Sequence, residues 1–374
     1  MTTWDSVPLS DVIELQRGHD LPSDERRTGT VPIIGSFGVT GFHDTARYAG
    51  PGVGIGRSGA SIGTATFVRD DYWPLNTCLF VKDFKGNDPR WVYRLLDQID
   101  FAAFNSGSAQ PSLNRNFLRS IPVGLPSLTE QQAIAEVLGA LDDKIAANTA
   151  LTATADSVLA TEFRARLHRA EAHDKELGAI ANVVLGGTPS RARLDYWTDG
   201  TIPWLNSGAV NATRIVEPSE LITAKALANS ATKLMPASTT LLAITGATLG
   251  QIARLEMEAS GNQSIVGVWS ADVALNTWLY YAIQARLDDL LARATGAAQQ
   301  HVSKGDVEQL AVPIPSRDVL EAFAGVATPL LELAAIAERE NRTLAATRDA
   351  LLPQLMSGKL RVRDAEAAAP EAGD

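Results

Sequence analysis

The run GIGRSG at residues 54–59 is the segment of this sequence that most resembles a nucleotide-binding loop. In the pattern G-x-G-x-x-G, the glycines let a strand turn into the first turn of a helix, whose amide groups then face a pyrophosphate. The residues that follow here, ASIGTATFV, favour a strand instead of a helix. We therefore interpret the run as a tight turn between two strands.

Adjacent carboxylates and metal-ligating side chains are the other groups that could do chemistry. Asp70 next to Asp71, and Asp142 next to Asp143, could form an acid–base pair, but we interpret both pairs as solvated acids. Cys78 is the only cysteine, which excludes an internal disulfide and a multi-cysteine zinc site. No two of the five histidines stand at the i, i+4 spacing of helical metal ligands, so we expect no structural metal.

Sequence motifs of several enzyme classes are missing. A methyltransferase acting on adenine or cytosine needs a glycine-rich cofactor loop and an Asn or Asp before Pro-Pro-Tyr or Pro-Pro-Phe. A P-loop needs G-x-x-x-x-G-K-[ST], and a nuclease of the common type needs carboxylates followed by Glu-x-Lys. None of these occurs. We predict that the chain contributes no catalytic residue and binds no cofactor of its own.

Length and composition predict a globular protein with two domains. The 374 residues exceed what one hydrophobic core usually serves, and 45% hydrophobic with 20% charged residues is ordinary for a folded protein. No run of about 18 apolar residues is present, and the start lacks the basic and apolar regions of a secretory signal. We therefore expect a cytoplasmic protein that does not cross a membrane.

The net charge of −10 argues against nucleic-acid binding, because phosphates are normally neutralised by a surplus of Lys and Arg. The acidity is uneven, however: residues 1–126 carry 12 basic against 13 acidic residues, and most of the excess lies further on. The net charge therefore does not exclude a DNA-binding face that is locally basic.

The chain contains an internal repeat. NTALTATADSVL at 148–159 and NRTLAATRDALL at 341–352 share six identities in twelve positions at one offset of 193 residues. The remaining parts match more weakly but in the same order. The pairs are VPIIGS (31–36) with IPWLNS (202–207), SGASIG (58–63) with TGATLG (245–250), Asn76 with Asn262, WVY (91–93) with WLY (278–280), GSAQ (107–110) with GAAQ (296–299) and IPVGLP (121–126) with LAVPIP (310–315).

The repeated segments predict two long helices. The first starts with Thr129 and Gln132 as a capping box, and at about 1.5 Å per residue it would span about 60 Å. The second starts at Ser316 and Asp318 and ends at Gly358. Their apolar stripes are Ile134, Leu138, Leu141, Ile145, Leu151, Val158 and Leu159, and Val326, Leu330, Leu333, Ala337, Leu344, Leu351 and Leu355.

Such stripes are too apolar to face water alone, so we expect the two helices to pack against each other, antiparallel in keeping with a pseudo-two-fold repeat. Asn148 and Asn341 interrupt the stripes. They either fix the register of the two helices or lie at a solvated helix edge, and the sequence leaves both possibilities open.

The sequence thus predicts an α+β fold in which two globular domains are separated by two long, antiparallel-packed helices. Short β-branched runs alternate with helical stretches such as WVYRLLDQI in each globular part. Trp91 and Trp278 are expected to anchor the two cores. The predicted boundaries are 1–126 and 170–315 for the globular domains, 127–169 and 316–362 for the helices, and 363–374 for a disordered tail.

Three motifs in and beside these helices resemble the specificity subunit of type I restriction and modification systems, over nearly the whole chain. They are LPSLTEQQAIAEVL (125–138), LGALDDKIAANTAL (138–151) and RDALLPQLMSGKLRV (348–362). The Gly-x-x-Gln segments and the Ile/Val-Pro exits of the globular parts also look like that family's target recognition domains. The chain is identified as a member of that family on these motifs.

The resemblance implies two target recognition domains that each read one half of an asymmetric, split site on double-stranded DNA, with the helices setting the gap. It further implies two methyltransferase subunits docked on the helices and a motor and nuclease subunit that joins them. The family's modification is adenine N6 methylation, with S-adenosylmethionine held by the methyltransferase.

Two polar loops are the candidate DNA contacts under this interpretation, because their side chains can pair with base edges or phosphates. A loop of this kind can equally be a solvated one. The first offers Gln110, Ser112, Asn114 and Arg115, and the second offers Gln299, Gln300, His301, Ser303 and Lys304. Weaker candidates, for which a structural turn is equally plausible, are Arg57, Ser58 and Thr245. The second loop reads HVSKGD where the first reads PSLNRN, so their equivalence is not assumed.

Two other functions are compatible with the sequence. One is a recognition portion cut from a fused restriction and methylation enzyme, which methyl transfer by the isolated chain would reveal. The other is an assembly scaffold that uses its helices without binding DNA, which salt-dependent, sequence-selective DNA retention would exclude.

Overall fold

The computed structural model describes residues 4–104, 113–295 and 300–362. The chain forms two compact units: unit 1 comprises residues 1–144 and 343–374, and unit 2 comprises residues 145–342. Each unit therefore contains one stretch of both long helices. The predicted tail at 363–374 lies outside the described residues.

Unit 1 is built from three small sheets. Its strands are β1 (Asp5–Pro8), β2 (Glu14–Arg17), β3 (Val31–Gly35), β4 (Gly38–His43), β5 (Gly52–Gly56), β6 (Ala65–Val68), β7 (Trp73–Pro74), β8 (Cys78–Asp83) and β9 (Pro122–Leu125), and its short helices are α1 (Leu9–Val12), α2 (Pro89–Asp97) and α3 (Arg115–Leu118). The sheet orders are β2-β8-β5-β6, β4-β3-β7 and β1-β9. Helix α2 starts where it does because the Asp88 carboxylate accepts a hydrogen bond from Trp91 N and Pro89 occupies the first turn.

The long helix α4 (Leu128–Arg169) leads from unit 1 into unit 2, which has the same kind of plan. Its strands are β10 (His173–Glu176), β11 (Asn182–Leu185), β12 (Ile202–Leu205), β13 (Arg214–Ile215), β14 (Glu220–Ile222), β15 (Leu234–Met235), β16 (Thr240–Ala243), β17 (Ile252–Leu255), β18 (Ala259–Gly261), β19 (Ile265–Trp269) and β20 (Ala311–Ile314). Its helices are α5 (Leu177–Ile180), α6 (Ala224–Ala228), α7 (Val273–Ala285), α8 (Leu287–Leu291) and α9 (Lys304–Glu308), followed by the second long helix, α10 (Arg317–Met356). The sheet orders are β11-β19-β16-β17-β13, β14-β12-β18-β15 and β10-β20.

The two units repeat the same strand pairings. In unit 1, Gly56 pairs with Cys78 across β5 and β8, and in unit 2, Ala243 pairs with Ile265 across β16 and β19. Likewise β3 runs parallel to β7, as β12 runs parallel to β18. The predicted α+β fold with an internal repeat is confirmed.

The structural alignment corrects one predicted match. Cys78 N donates a hydrogen bond to Leu75 O, and the equivalent Ile265 N donates to Asn262 O. Asn262 is therefore the counterpart of Leu75, and the counterpart of Asn76 is Gln263. The predicted pairing of Asn76 with Asn262 is wrong because residue identity alone aligned them, one position out of register.

Both long helices form, and their ends differ slightly from the prediction. The capping box at Thr129 and Gln132 is wrong: α4 starts one residue earlier, and the Ser127 hydroxyl accepts a hydrogen bond from Glu130 N at 3.3 Å. The second long helix, α10, stops at Met356, and Gly358 just after it has a φ of 69°, a left-handed conformation that suits glycine. The predicted end of the second helix is confirmed.

Within each unit, the stretches of α4 and α10 run antiparallel. In unit 2, Phe163 packs against Phe323 with ring centroids 6.2 Å apart, and Asn148 Nδ2 donates to Glu340 Oε2 at 2.7 Å. In unit 1, the Asp142 carboxylate accepts a hydrogen bond from Arg348 at 3.2 Å. Asn148 is only 5% exposed, which favours the predicted role in fixing the register over a solvated edge.

In unit 2, the apolar stripe predicted on the second helix is only partly buried: Ala337 is buried and Leu330 is half-buried, whereas Val326 and Leu333 are exposed. Ile336 is exposed as well, and the other buried positions are Phe323, Ala327, Leu331 and Ala334. On α4, likewise, Leu151 and Val158 are exposed whereas Ala155 and Phe163 are buried. A row rich in alanine lets the helix lie close to its neighbours, so packing distance decided against the more apolar row.

The acidic pair on α4 is not simply solvated, contrary to the prediction. In unit 1, Asp142 forms ion pairs with Arg94 and Arg348, and Asp143 forms ion pairs with Arg69 and Arg90. In unit 2, Asp156 of the same helix pairs with the buried Arg214 at 2.9 Å. These pairs fasten the long helix to α2, α10 and the residue after β6 in unit 1, and to strand β13 in unit 2.

The long helices complete the core of each unit. In unit 2, Leu159 and Phe163 of α4 join Phe323 and Leu331 of α10 around Trp278. In unit 1, Ile134 and Leu138 of α4 join Leu352 and Leu355 of α10 around Trp91. Both tryptophans are fully buried, so their predicted role as core anchors is confirmed.

One helix among the described residues, Arg317–Met356, is long and apolar enough to cross a membrane by length and composition alone. Since Phe323, Leu331, Leu352 and Leu355 of this helix are buried among other side chains of the protein, it serves here as a core helix.

We predict that Phe163→Ala lowers the free energy of unfolding of unit 2 by about 3–5 kcal/mol, because it removes a buried ring that contacts Trp278 (4.4 Å between centroids) and Phe323. Val158→Ala, on the same helix but 46% exposed, is the matched control and should stay within about 0.5 kcal/mol of the parent protein. Urea unfolding measures both, and equal effects of the two changes would contradict this core.

Candidate nucleic-acid interface

The glycine-rich run at 54–59 is a turn between strands, as predicted. Strand β5 ends at Gly56, a short 3-10 turn covers Gly59–Ser61, and β6 returns antiparallel to β5. Gly59 has a φ of 75°, and its counterpart Gly246 in unit 2 has a φ of 67°. Both turns therefore require glycine at this position, and neither leads into a helix that could face a pyrophosphate.

In unit 1, the turn joins three chain segments side by side. Arg57 N donates to Thr77 O at 3.1 Å, and Leu113 N donates to Arg57 O at 2.8 Å. Three segments thus lie next to each other: the turn at 57–58, the turn at 76–77, and residues 113–115 of the polar loop. The candidates Arg57, Ser58, Asn114 and Arg115 are brought together by these bonds.

Unit 2 repeats this arrangement bond for bond. Ile244 N donates to Ser264 O at 2.9 Å, and Val302 N donates to Ile244 O at 2.9 Å. Thr245 forms a bridge with His301, and Gly246 N donates to Gln300 O at 3.3 Å. The candidates Thr245, Gln300, His301, Ser303 and Lys304 are therefore neighbours in the same way.

The last part of each loop caps a short helix. The Asn114 side chain accepts a hydrogen bond from Asn116 N at 3.0 Å at the start of α3, and the Ser303 hydroxyl accepts one from Asp306 N at 3.1 Å at the start of α9. Ser303 also donates two hydrogen bonds to the Asp306 carboxylate, which lower the pKa of that carboxyl. PSLNRN and HVSKGD thus occupy equivalent backbone positions despite their different letters.

The residue after each capping residue differs between the two units. Arg115 is exposed, and Lys304 is half-buried with its ammonium 2.8 Å from Glu308 Oε1. Asn114 and Ser303 are themselves exposed but hold the helix starts. The framework is shared and the chemistry differs, since a planar guanidinium in unit 1 is replaced by a paired ammonium in unit 2.

Three of the predicted contacts lie outside the described residues. They are Gln110 and Ser112 of the first loop and Gln299 of the second. Their role stays a prediction.

A second pair of turns, around Asn76 and Gln263, lies next to the candidate loops. These two turns were not predicted from the sequence. In unit 1, Asn76 Nδ2 donates a hydrogen bond to the Asp20 carboxylate, and Arg17 Nε and Arg57 Nη1 each donate to Asn76 O at 3.4 Å. In unit 2, Thr188 Oγ1 donates to Gln263 Oε1. The misaligned repeat hid this correspondence, because Asn76 was matched to a residue that lies elsewhere in the turn.

Gly18 and Gly186 explain why these turns approach each other. A Cβ on Gly18 would lie 2.1 Å from Leu75 O, and one on Gly186 would lie 2.2 Å from Asn262 O. Only glycine allows this approach. Next to Gly18, His19 lies 3.0 Å from the Tyr48 hydroxyl, and burial together with Arg47 lowers the pKa of this imidazole.

Metal chemistry finds no support in the part of the chain that the structure describes. No group of three or more His, Cys, Asp or Glu side chains lies close enough to hold an ion. Cys78 is buried, and burial raises the pKa of its thiol to about 12, so it is unreactive at neutral pH.

Comparison with known proteins decides the family. The family described as "Type I restriction modification DNA specificity domain" matches residues 1–155 and again residues 171–319. The chain belongs to this family. The two matches contain both sets of turns, one in each copy of the domain.

Individual relatives agree with this membership. The chain is 28% identical over 147 residues to the specificity subunit of a type I restriction enzyme of Escherichia coli, a match that covers 38% of this chain and 36% of that protein. It is 23% identical over 284 residues to a type I specificity subunit of Methanocaldococcus jannaschii, covering 70% of this chain and 65% of that one. The chain thus spans less than two thirds of either relative's length.

A solved structure of the type I restriction–modification S subunit from M. genitalium has the same fold. Its TM-score is 0.72 at 15% identity, with 94% of this chain and 96% of that chain covered. At this identity the likeness concerns the fold of the specificity subunit and carries no residue roles.

Proposed function

We propose that this chain is the DNA-reading subunit of a type I restriction–modification complex and that its two domains read the two unlike halves of a split, asymmetric site on double-stranded DNA. One observation carries the proposal: two equivalent sets of hydrogen-bonded turns carry different side chains, Arg57 and Arg115 in one unit against Lys304 and the buried Ile244 in the other. Base recognition is set by individual side chains, so equal frameworks with unequal side chains read unequal sequences.

The net charge of −10 is compatible with this role. Many acidic side chains are already paired with arginines inside each unit, such as Asp142, Asp143 and Asp156. Arg17 and Arg57 meanwhile meet at Asn76 O in unit 1, and Arg115 follows two residues after Leu113, which bonds to Arg57, so cationic side chains are frequent around these turns. A partner subunit would supply the rest of the phosphate contacts.

The proposed partners are two methyltransferase subunits and a motor and nuclease subunit, with S-adenosylmethionine and the adenine N6 chemistry on the methyltransferase. The exposed apolar row on α10 supports docking on the long helices, since Leu333 is 44% and Ile336 is 59% exposed. Apolar side chains grouped on one exposed helix face are typical of a protein–protein contact. The chain itself takes no catalytic part and works in the cytoplasm.

The proposed division into domains follows the same logic. Residues 1–126 and 170–315 are the two readers, and residues 127–169 and 316–362 form the helical spacer between them. A stiff spacer keeps both readers in phase with the helical repeat of DNA, about 34 Å, which a flexible linker could not do.

Arg115→Ala and Lys304→Ala should each weaken binding of the complex to its target DNA by roughly 5- to 150-fold while the protein stays folded, because each removes a cationic donor from the candidate interface. Fluorescence anisotropy with the assembled methyltransferase complex measures the dissociation constant, and thermal unfolding checks the fold. The matched controls, Lys82→Ala and Lys225→Ala, each remove an exposed, ion-paired lysine from the same unit and should bind as the parent does. Unchanged affinity in both test variants would remove these residues from the interface.

Ile336→Asp should reduce co-purification of the methyltransferase at least about tenfold, because it places a charge on the exposed apolar row of α10. Leu194→Asp makes the same kind of change at a site that is exposed in the same unit but lies away from α10, and it should leave assembly intact. Full assembly of the Ile336 variant would exclude this face of α10 as the docking surface.

A further inference from the structure

We propose that the turn around Asn76 in unit 1 and the turn around Gln263 in unit 2 are a second base-reading element of each domain, next to the polar loops. This inference rests on the proposed function and assigns specificity to residues outside those loops. Each turn accepts a backbone hydrogen bond from Arg57 or Ile244, and the carbonyl oxygen of that same residue accepts a second one from the polar loop, at Leu113 or Val302. A duplex that contacts the loop therefore passes directly beside the turn.

Each turn carries a side-chain amide held in one orientation. In unit 1, one amide N–H of Asn76 donates a hydrogen bond to Asp20, and in unit 2, the amide oxygen of Gln263 accepts a hydrogen bond from the Thr188 hydroxyl. The Asn76 amide is thus held through its NH₂ group, and the Gln263 amide is held through its oxygen. Asn76 keeps its oxygen and one N–H for a ligand, and Gln263 keeps its NH₂ group.

The mixture of groups at the Asn76 turn suits a base edge better than a phosphate. A phosphate only accepts hydrogen bonds, and its charge would be repelled by the Asp20 carboxylate beside Asn76. A base pair in the major groove offers donors and acceptors together. An amide oxygen, an amide N–H and two guanidinium groups can match such an edge, with guanine as the natural partner of arginine.

The arginines distinguish the two turns. Arg17 and Arg57 converge on the carbonyl oxygen of Asn76, and this bond uses one of the five N–H donors of each guanidinium. The positions equivalent to these arginines in unit 2 are Leu185 and Ile244. The element in unit 1 is therefore cationic and can select guanine, whereas the element in unit 2 is uncharged and reads through the Gln263 amide.

The test exchanges these residues between the turns in the full chain, assembled with its methyltransferase. Arg57→Ile gives unit 1 the residue of unit 2, Asp20→Thr with Asn76→Gln exchanges the amide pair, and Thr188→Asp with Gln263→Asn is the reciprocal change. Arg17→Leu is a fourth variant, at an exposed position outside the core. Lys82→Gln, an exposed change at the far part of β8, is the control.

The readouts are a genomic map of methylated adenines for each variant and the dissociation constants for target DNA and for DNA with one half-site scrambled. We expect the unit 1 variants to relax recognition at one or two base pairs of one half-site, with affinity for the target lower by roughly tenfold to hundredfold. The reciprocal variant should alter only the other half-site, and the control should match the parent.

Three results would overturn this inference. Unchanged methylation maps exclude a reading role. An equal loss of affinity on target and scrambled DNA, with a shallower salt dependence, identifies a phosphate contact. Loss of every position in a half-site identifies a structural role. If instead the parent complex shows no sequence preference at all, the proposed function itself fails, and the two failures are thereby distinguished.

Discussion

Burial of both long helices within the units is the constraint on which the rest of the structure depends. Phe163 and Phe323 meet around Trp278 in unit 2, and Leu138 and Leu355 lie in the core around Trp91 in unit 1. Neither globular segment has a complete core without the helices, and neither helix could leave its buried face in water. The long helices and the globular segments are therefore parts of the same folded units.

The two units share the backbone of their turns but differ in the side chains on those turns. The backbone rungs that join the three turns are the same in both units, as are the left-handed glycines Gly59 and Gly246. The side chains carried outward by those turns are different. The hydrogen bonds that join the three segments come from the main chain, so substitution of side chains such as Arg115 or Lys304 leaves these bonds in place.

Sequence reasoning predicts the elements that repeat or alternate and misses those set by tertiary contacts. The two long helices, the turn at 54–59 and the buried Trp91 and Trp278 follow from periodicity, strand propensity and size. The buried face of α10 could not be predicted in this way. Hydropathy favours burial of Val326 and Leu333, whereas the structure buries Ala327 and Ala334, whose small side chains allow close packing. The Asn76 and Gln263 turns were hidden by a shift of one residue, and the arginine partners of Asp142 and Asp156 come from elements distant in sequence.

The most direct measurement is a genomic map of methylated adenines in cells that contain this chain with the proposed methyltransferase partner, compared with cells from which this chain is deleted. We predict that the methylated adenines that depend on this chain lie in a motif of two unlike base sequences, separated by a gap of constant length in which any base is accepted. A continuous or palindromic motif, a variable gap, or a map that is unchanged by the deletion would contradict it.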